Sequence, residues 1–356
     1  MKTEVVPQGP NLDLNQSFFE RHRGLIAEGL LLSQLAFPAL ALSGCSRPAP
    51  PPPAAAALQA ERDIAAINAE WDLAPAGGRT SALLTSAAVL SKIPMERIRS
   101  MWDAAPTTGD SAALLVLAAA TSGKSMDQIT AMWEKAPSTG HVSAMLVLTA
   151  AQNGKSMEQI RQMWDQSRSD GLPAALLVSA AVNSNKSMQT INSMWDRAAS
   201  TGTQAATLVT AAAVSGKSIE SINQMWEEVA SSGQVSSQLV LAAAVSGKSI
   251  YQINQMWQEA DAIDSSAAQL VSAAAMSNHS MSEINLMYNK SSGHFSGGAP
   301  QLVALAAVKE QLDQSPTLVI IPIVHTHVVN SGKHTTVYHT FSFYTAVRPQ
   351  KSDSAK

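Results

Sequence analysis

The segment SMDQITAMWEKAPSTGHVSAMLVLTAAQNGK, residues 125–155, decides the fold, because versions of it recur at a fixed period. Tryptophan occurs every 31 residues from Trp71 to Trp257, and the next step of this ladder is Tyr288. Self-similarity at a fixed period of this length is typical of stacked-repeat proteins. The sequence therefore predicts eight repeats over about 62–311, the last with one inserted residue.

Each repeat predicts two helices. A serine such as Ser125, followed three residues later by Gln128, matches a capping box at the start of the first helix. A glycine such as Gly140 is expected to close that helix. The second helix, SAMLVLTAAQ, is apolar nearly all round, so neighbouring repeats must cover it. The expected fold is an all-α solenoid of about eight 31-residue helix-turn-helix repeats, with a short C-terminal β-hairpin.

The stretch AAAVSGKSI occurs at both 211–219 and 242–250, and its end resembles a phosphate-binding loop. That loop, G-x-x-x-x-G-K-[ST], requires an earlier glycine, where this chain has Ala211 and Ala242. No strand is predicted before it either. The glycine is instead expected to end one helix and the serine to cap the next, so we predict no nucleotide site.

An apolar helix, then GK, then a helix with an aromatic residue and methionine, resembles the pentatricopeptide repeat. The resemblance implies a right-handed superhelix of helical hairpins and, as an alternative function, binding of single-stranded RNA. In that family polar residues on one helix read the bases. The equivalent helix here carries LLVLAAA, LVTAAAV and LVLAAAV, which offer few polar atoms to a base edge.

The N-terminal segment 1–45 has the order of a secretory signal, with Arg21 and Arg23 before an apolar stretch that Glu28 interrupts. LSGC at 42–45 resembles the lipobox of bacterial lipoproteins, which implies acylation of Cys45 and a lipid anchor in the bacterial cell envelope. The alternative is an amphipathic helix with a buried cysteine. Residues 46–60 are rich in proline and alanine and predict a semi-rigid tether to the array at 61–311, with a tail at 312–356.

The amino-acid composition limits the classes of protein to which this chain can belong. Only 14% of residues are charged and the net charge is −3, which argues against a nucleic-acid binder with its usual basic excess. One cysteine excludes an intrachain disulfide. No nucleophile–base or paired-carboxylate pattern is present, so we expect a non-enzymatic protein without a cofactor.

Two charged rows follow the period. The acidic row comes directly after the tryptophans, and its candidate partner-binding residues are Asp103, Glu134, Asp165, Asp196 and Glu227. The lysine row follows the second helices and consists of Lys124, Lys155, Lys186, Lys217 and Lys248. An antiparallel hairpin places the two rows at opposite edges. We expect the acidic row to contact a basic segment of a protein partner in the cell envelope; the alternative is a solvated face.

The tail is rich in β-branched and aromatic residues around Asn330 and Gly332, which predicts a β-hairpin. With Val329 opposite His334, the histidines His325, His327 and His334 share one face and form a candidate zinc or copper site. The alternative is a polar strand face. A two-stranded hairpin is marginal alone in water, so it is expected to dock on the array or to add to a partner's sheet.

Overall fold

The computed structural model describes residues 53–291, 298–314, 318–331 and 334–347. The described residues form sixteen helices in eight consecutive pairs, followed by two strands. The first helices of the pairs are α1 (Pro53–Asp72), α3 (Met95–Asp103), α5 (Met126–Glu134), α7 (Met157–Asp165), α9 (Met188–Trp195), α11 (Ile219–Glu228), α13 (Ile250–Glu259) and α15 (Met281–Ser291). The second helices are α2 (Gly78–Ser91), α4 (Gly109–Ser122), α6 (Gly140–Gln152), α8 (Gly171–Ser184), α10 (Gly202–Ser215), α12 (Gly233–Ser246), α14 (Asp264–Met276) and α16 (Ala299–Gln314).

The serine caps are confirmed. Ser125 accepts a hydrogen bond from the backbone N–H of Gln128, and the side chain of Gln128 accepts one from the backbone N–H of Ser125. The reading of GKS as a helix joint is also confirmed. Gly216 ends α10 in the left-handed conformation, and Ser218 caps α11. These residues satisfy helix-end groups that would otherwise lack partners.

The glycines expected to close the first helices begin the second helices instead. Gly140 is the first residue of α6, with φ of 56°, whereas α5 ends earlier at Glu134. The chain must reverse direction between the two helices, and it does so by placing a left-handed residue at the entry to α6. Asp264 has φ of 52° at the equivalent position of the seventh repeat. The same correction applies to Gly109, Gly171, Gly202 and Gly233.

Helix α1 begins within the segment expected to be a tether. It starts at Pro53 and includes the alanine run 54–57. Proline is favourable at the first helical position, and alanine is the strongest helix former. Ala60 is fully buried. The helical array therefore starts several residues before 61.

Isoleucines form the centre of each repeat. The isoleucine four residues before each ladder aromatic is fully buried in all eight repeats: Ile67, Ile98, Ile129, Ile160, Ile191, Ile222, Ile253 and Ile284. The tryptophans are half-buried and pack against this core from its border. One continuous apolar cluster extends from Ala60 to Ala307. The indoles therefore border a core that is mostly aliphatic.

The even-numbered helices form a closed inner ring. Each packs against the next from α2 to α16, and α16 packs back against α1 and α2. Helix α15 also packs against α1. The open superhelix implied by the pentatricopeptide resemblance is therefore not what the described helices form. Eight repeats close when each turns the chain by about 45° with little net rise.

The closure has its own contacts. Lys290 at the end of α15 forms an ion pair with Glu61 in α1. Gly298 lies against the first repeat so closely that an added Cβ would be 3.0 Å from Trp71 Cζ3 and 3.1 Å from Ala82 Cβ. The first indole of the ladder thus packs against the last repeat. A Cβ at residue 298 would therefore require Trp71 and Ala82 to shift by a few tenths of an ångström.

Two antiparallel strands follow the ring, β1 (Leu318–Ser331) and β2 (His334–Val347). The expected register is wrong by two residues, because His334 pairs with Ser331 and Val329 pairs with Thr336. The pairing continues two residues further along the first strand than expected, to Ser331 opposite His334. The tail side chains lie outside the described residues, so the hairpin tail beyond this backbone pairing stays a prediction.

We expect Gly298→Ala to lower the free energy of unfolding by about 1–3 kcal/mol, because its methyl group overlaps Trp71 and Ala82. Urea unfolding followed by circular dichroism measures the change. Gly77→Ala is the matched control, since Gly77 has φ of −119° and nothing within 4 Å of an added Cβ. Equal effects of the two variants would contradict the described closure.

Candidate functional site

The acidic row lies at the C-terminal ends of the odd-numbered helices. Asp103, Glu134 and Asp165 are the last residues of α3, α5 and α7, Asp196 caps α9, and Glu227 is in the last turn of α11. All five side chains are exposed. The last carbonyl groups of these helices add partial negative charge at the same end. One face of the ring therefore presents a periodic series of carboxylates.

Four members of the acidic row have no described partner. Asp196 forms an ion pair with Arg168 of the preceding repeat. No described side chain forms a hydrogen bond or ion pair with the other four, which are Asp103, Glu134, Asp165 and Glu227. Their negative charge is balanced only by solvent and salt, and it is accessible to a cationic ligand.

The lysine row lies at the opposite face. Lys124 follows Gly123, which ends α4, and Lys217 follows Gly216, which ends α10. The start of each even-numbered helix lies near the end of the odd-numbered helix before it, so the two row positions are a helix length apart. The expected separation of the acidic and lysine rows is confirmed for these positions. The lysine face also carries carboxylates at the starts of the odd-numbered helices, such as Glu96, Asp127 and Glu158, so its repeated charge is of both signs.

A third row, which the sequence reasoning missed, joins consecutive repeats. The side-chain amide of Asn223 in α11 donates to the carbonyl of Arg197 at 2.8 Å and accepts from the N–H of Ala199 at 3.0 Å. Asn254 bonds to Glu228 and Ala230 in the same way. We call this set the staple residues. The four asparagines that make both bonds are Asn192, Asn223, Asn254 and Asn285.

The staple residues hold the loop between the two helices of the preceding repeat, and that loop begins beside the acidic row. Each satisfies one carbonyl and one N–H of the loop after the preceding odd-numbered helix. In two earlier repeats arginine has this position, and Arg99 and Arg161 donate to the carbonyls of Leu73 and Lys135. The signal was visible in the sequence, because asparagine recurs three residues before the ladder aromatic. Its partners were not, since they lie in the neighbouring repeat.

A groove of about 750 Å³ beside α15 is lined partly by Glu259, Asp261 and Glu283. Two of these carboxylates already accept hydrogen bonds from neighbouring residues. Asp261 accepts a hydrogen bond from Asn289 at 2.8 Å, and Glu283 accepts one from the N–H of Ser280 at 2.7 Å. Among the described residues no group of three or more metal-ligating side chains is close enough to hold an ion. This groove is a consequence of helix capping.

Several predicted sites lie outside the described side chains. They are the lipidation residue Cys45 and the metal candidates His325, His327 and His334. The register places His334 four pairs along the hairpin from His327. Both sites stay predictions. No helix among the described residues has the length and apolarity that a membrane span requires.

The chain matches no protein-family model, and no curated protein resembles it in sequence. Function must therefore be argued from the geometry of the ring. That geometry offers an exposed acidic row on a scaffold whose repeats are joined by hydrogen bonds.

We expect Asn223→Ala to lower the free energy of unfolding by about 1–2 kcal/mol, because two inter-repeat hydrogen bonds are lost. Chemical denaturation provides the measurement. Gln224→Ala is the control on the same helix, since Gln224 is exposed and bonds only to Glu228, four residues on. That change should stay within about 0.5 kcal/mol. A loss as large for Gln224→Ala would show that Asn223 has no special role.

Proposed function

We propose that this chain is a non-enzymatic protein-binding ring of the bacterial cell envelope and that its acidic row contacts a basic segment of a partner protein. The observation that carries the proposal is the set of four exposed, unpaired carboxylates on one face of the ring. Repeat arrays supply extended binding surfaces without inherent chemistry.

Spacing supports the proposal as much as charge does. One exposed ion pair contributes about 0–1 kcal/mol, so a single carboxylate of the row would bind weakly. Carboxylates repeated at one position of successive repeats add their contributions when the ligand carries cations at matching intervals. They also accelerate encounter with a cationic partner. The row therefore selects for a segment with several regularly placed lysines or arginines.

Rigidity lowers the entropic cost of binding. The staple residues hold the connections next to the acidic row, and closure of the ring removes free ends. A binding surface that is already ordered loses less conformational freedom when its ligand arrives. This distinguishes the ring from a flexible acidic segment of the same charge.

The N-terminal residues complete the proposal. Acylation of Cys45 would anchor the ring at a membrane, and a single short chain gives only marginal anchoring, whereas two chains hold stably. The diacylated cysteine implied by the lipobox resemblance meets that requirement. The ring would then present its acidic row to proteins of the envelope.

The pentatricopeptide-like alternative has less support. Its base-reading positions would lie on the even-numbered helices, whose middle residues are buried here, as Leu115 and Val147 illustrate. The exposed row carries negative charge, which repels a phosphate backbone. We expect no binding of single-stranded RNA.

We expect the triple variant Asp103→Asn, Glu134→Gln, Asp165→Asn to bind a lysine-rich peptide about tenfold more weakly at low salt, from three lost pairs of roughly 0.5 kcal/mol each. Isothermal titration calorimetry measures the affinity. High salt should remove most of the difference.

The matched control neutralises three exposed carboxylates at the other ends of the same helices, with Glu96→Gln, Asp127→Asn and Glu158→Gln. It changes the net charge equally. Equal weakening by both variants would reduce the effect to net charge and refute a role for the acidic row.

We expect Cys45→Ala to abolish incorporation of labelled palmitate in a bacterial host and to move the protein from the membrane fraction to the soluble fraction. Cysteine is the only residue of the lipobox that accepts the acyl groups, so alanine removes the anchor. Immunoblotting of fractions and fluorography of the labelled protein report the two effects. Unchanged labelling would exclude the lipoprotein assignment. It would not bear on the acidic row, which the calorimetric titration with the lysine-rich peptide tests.

A further inference from the structure

One stripe of the inner helices faces the bore of the ring. In α6, Thr149 Oγ1 lies 2.8 Å from Ser179 Oγ of the next inner helix, and Gln152 donates to Thr121 of the preceding one at 3.1 Å. At about 100° per residue, Met145 lies between these two edges on the helix surface. Seen along its own axis, a helix in a closed ring has its two neighbours less than 180° apart on the side that faces the bore. On the outer side they are more than 180° apart. Met145 and its equivalents therefore face the bore.

We call these equivalents the bore row, and they divide into two halves. The first four repeats carry apolar side chains at this position, and the last four carry a hydroxyl or an amide. In chain order the bore row is Leu83, Leu114, Met145, Leu176, Thr207, Gln238, Gln269 and Gln301. No member of the row is charged. The bore thus has an apolar half and a polar, uncharged half.

The bore is wide enough to hold a segment of chain. Eight helices spaced 8–10 Å apart place their axes roughly 10–13 Å from the centre, which leaves a channel roughly 10–14 Å wide once the helix radius is subtracted. Yet six of the eight bore-row residues are shielded from solvent, and the other two, Gln269 and Gln301, are half-buried. Leu114 and Met145 are 0% exposed, and the polar Gln238 is 1% exposed. An empty channel of this width would admit water to all three.

The C-terminal strands are the segment in the right place. The backbone of β1 packs against α8 and α12, and the backbone of β2 packs against α14 and α16. Helices α8 and α16 are on opposite sides of an eight-membered ring, so a hairpin that touches both crosses its interior. The two strands contain no lysine, arginine, aspartate or glutamate, so entry into a channel lined by uncharged side chains buries no formal charge.

We propose that the C-terminal hairpin, residues 318–347, is the ligand of this channel and plugs the ring from within. A lone hairpin leaves unpaired N–H and C=O groups along both edges. Side-chain amides both donate and accept hydrogen bonds, so the polar half of the bore row, Thr207 to Gln301, suits a strand edge. The apolar half covers the remaining surface. This proposal goes beyond the acidic row, which lies on a face of the ring and requires an external partner.

Photo-cross-linking of the full chain tests the plug. A benzophenone side chain is placed at residue 176 or 238 in the bore row, at residue 269 in the same row, or at exposed residue 224 as the control. Circular dichroism shows whether each variant folds. After irradiation and digestion, mass spectrometry should find β1 peptides attached at 176 and 238, and β2 peptides attached at 269. The control should attach to neither.

A second measurement avoids the bulky probe. In a Cys45→Ala background, the thiol of Gln238→Cys should react slowly with a maleimide, while that of Gln224→Cys should react fast. Adding Val328→Asp places a carboxylate in an uncharged strand, which should expel the hairpin and raise the reactivity at 238 about tenfold or more. Cross-links confined to neighbouring inner helices, cross-links to a second molecule, or rapid labelling at 238 without Val328→Asp would each overturn the plug. None of these readouts uses a partner, so they are independent of the proposed function.

Discussion

Contact between the last repeat and the first is the constraint on which the rest of the structure depends. In an open array the terminal repeats each leave one apolar side uncovered, and capping segments must shield it. Here the uncovered sides meet each other, with Trp71 packed against Gly298 and Lys290 paired with Glu61. Every repeat therefore has two neighbours. The cost is that rotation and rise per repeat must be correct, because small errors accumulate over eight steps.

The aliphatic core makes that accuracy possible. Alanines at fixed positions of the inner helices allow close approach, and a fully buried isoleucine from each of the eight outer helices fills the space behind them. Such small, stiff side chains vary little between repeats, so the repeats are nearly identical wedges. The tryptophans contribute at the border, where they are half-buried. Gly298 shows how tightly the ends of the ring meet, since one more carbon there would force its neighbours to shift.

Sequence reasoning predicted the local features and failed on those that depend on angles between repeats. The period, the two helices, the serine caps and the chain of packed neighbours are each encoded within one repeat or its joint, as Ser125 and Gln128 illustrate. Ring closure is not encoded within one repeat, because the rotation angle between successive repeats has no signature in the amino-acid sequence. The role of Gly140 was misplaced for a similar reason, since both ends of a short connection accept a left-handed residue. The bore row became visible only once the inner face of the ring was known, and the partner of the acidic row belongs to another molecule.

Closure at eight has a consequence for how such a gene can change. Near-identical stretches such as residues 211–219 and 242–250 invite unequal crossing-over, which in an open array merely lengthens or shortens a rod. In this ring, a seventh or ninth copy would leave a gap or an overlap where α16 meets α1 and α2. Tandem arrays most commonly diversify by changes in copy number, but this architecture does not tolerate such changes. Its variation is therefore confined to substitutions on the faces and in the bore.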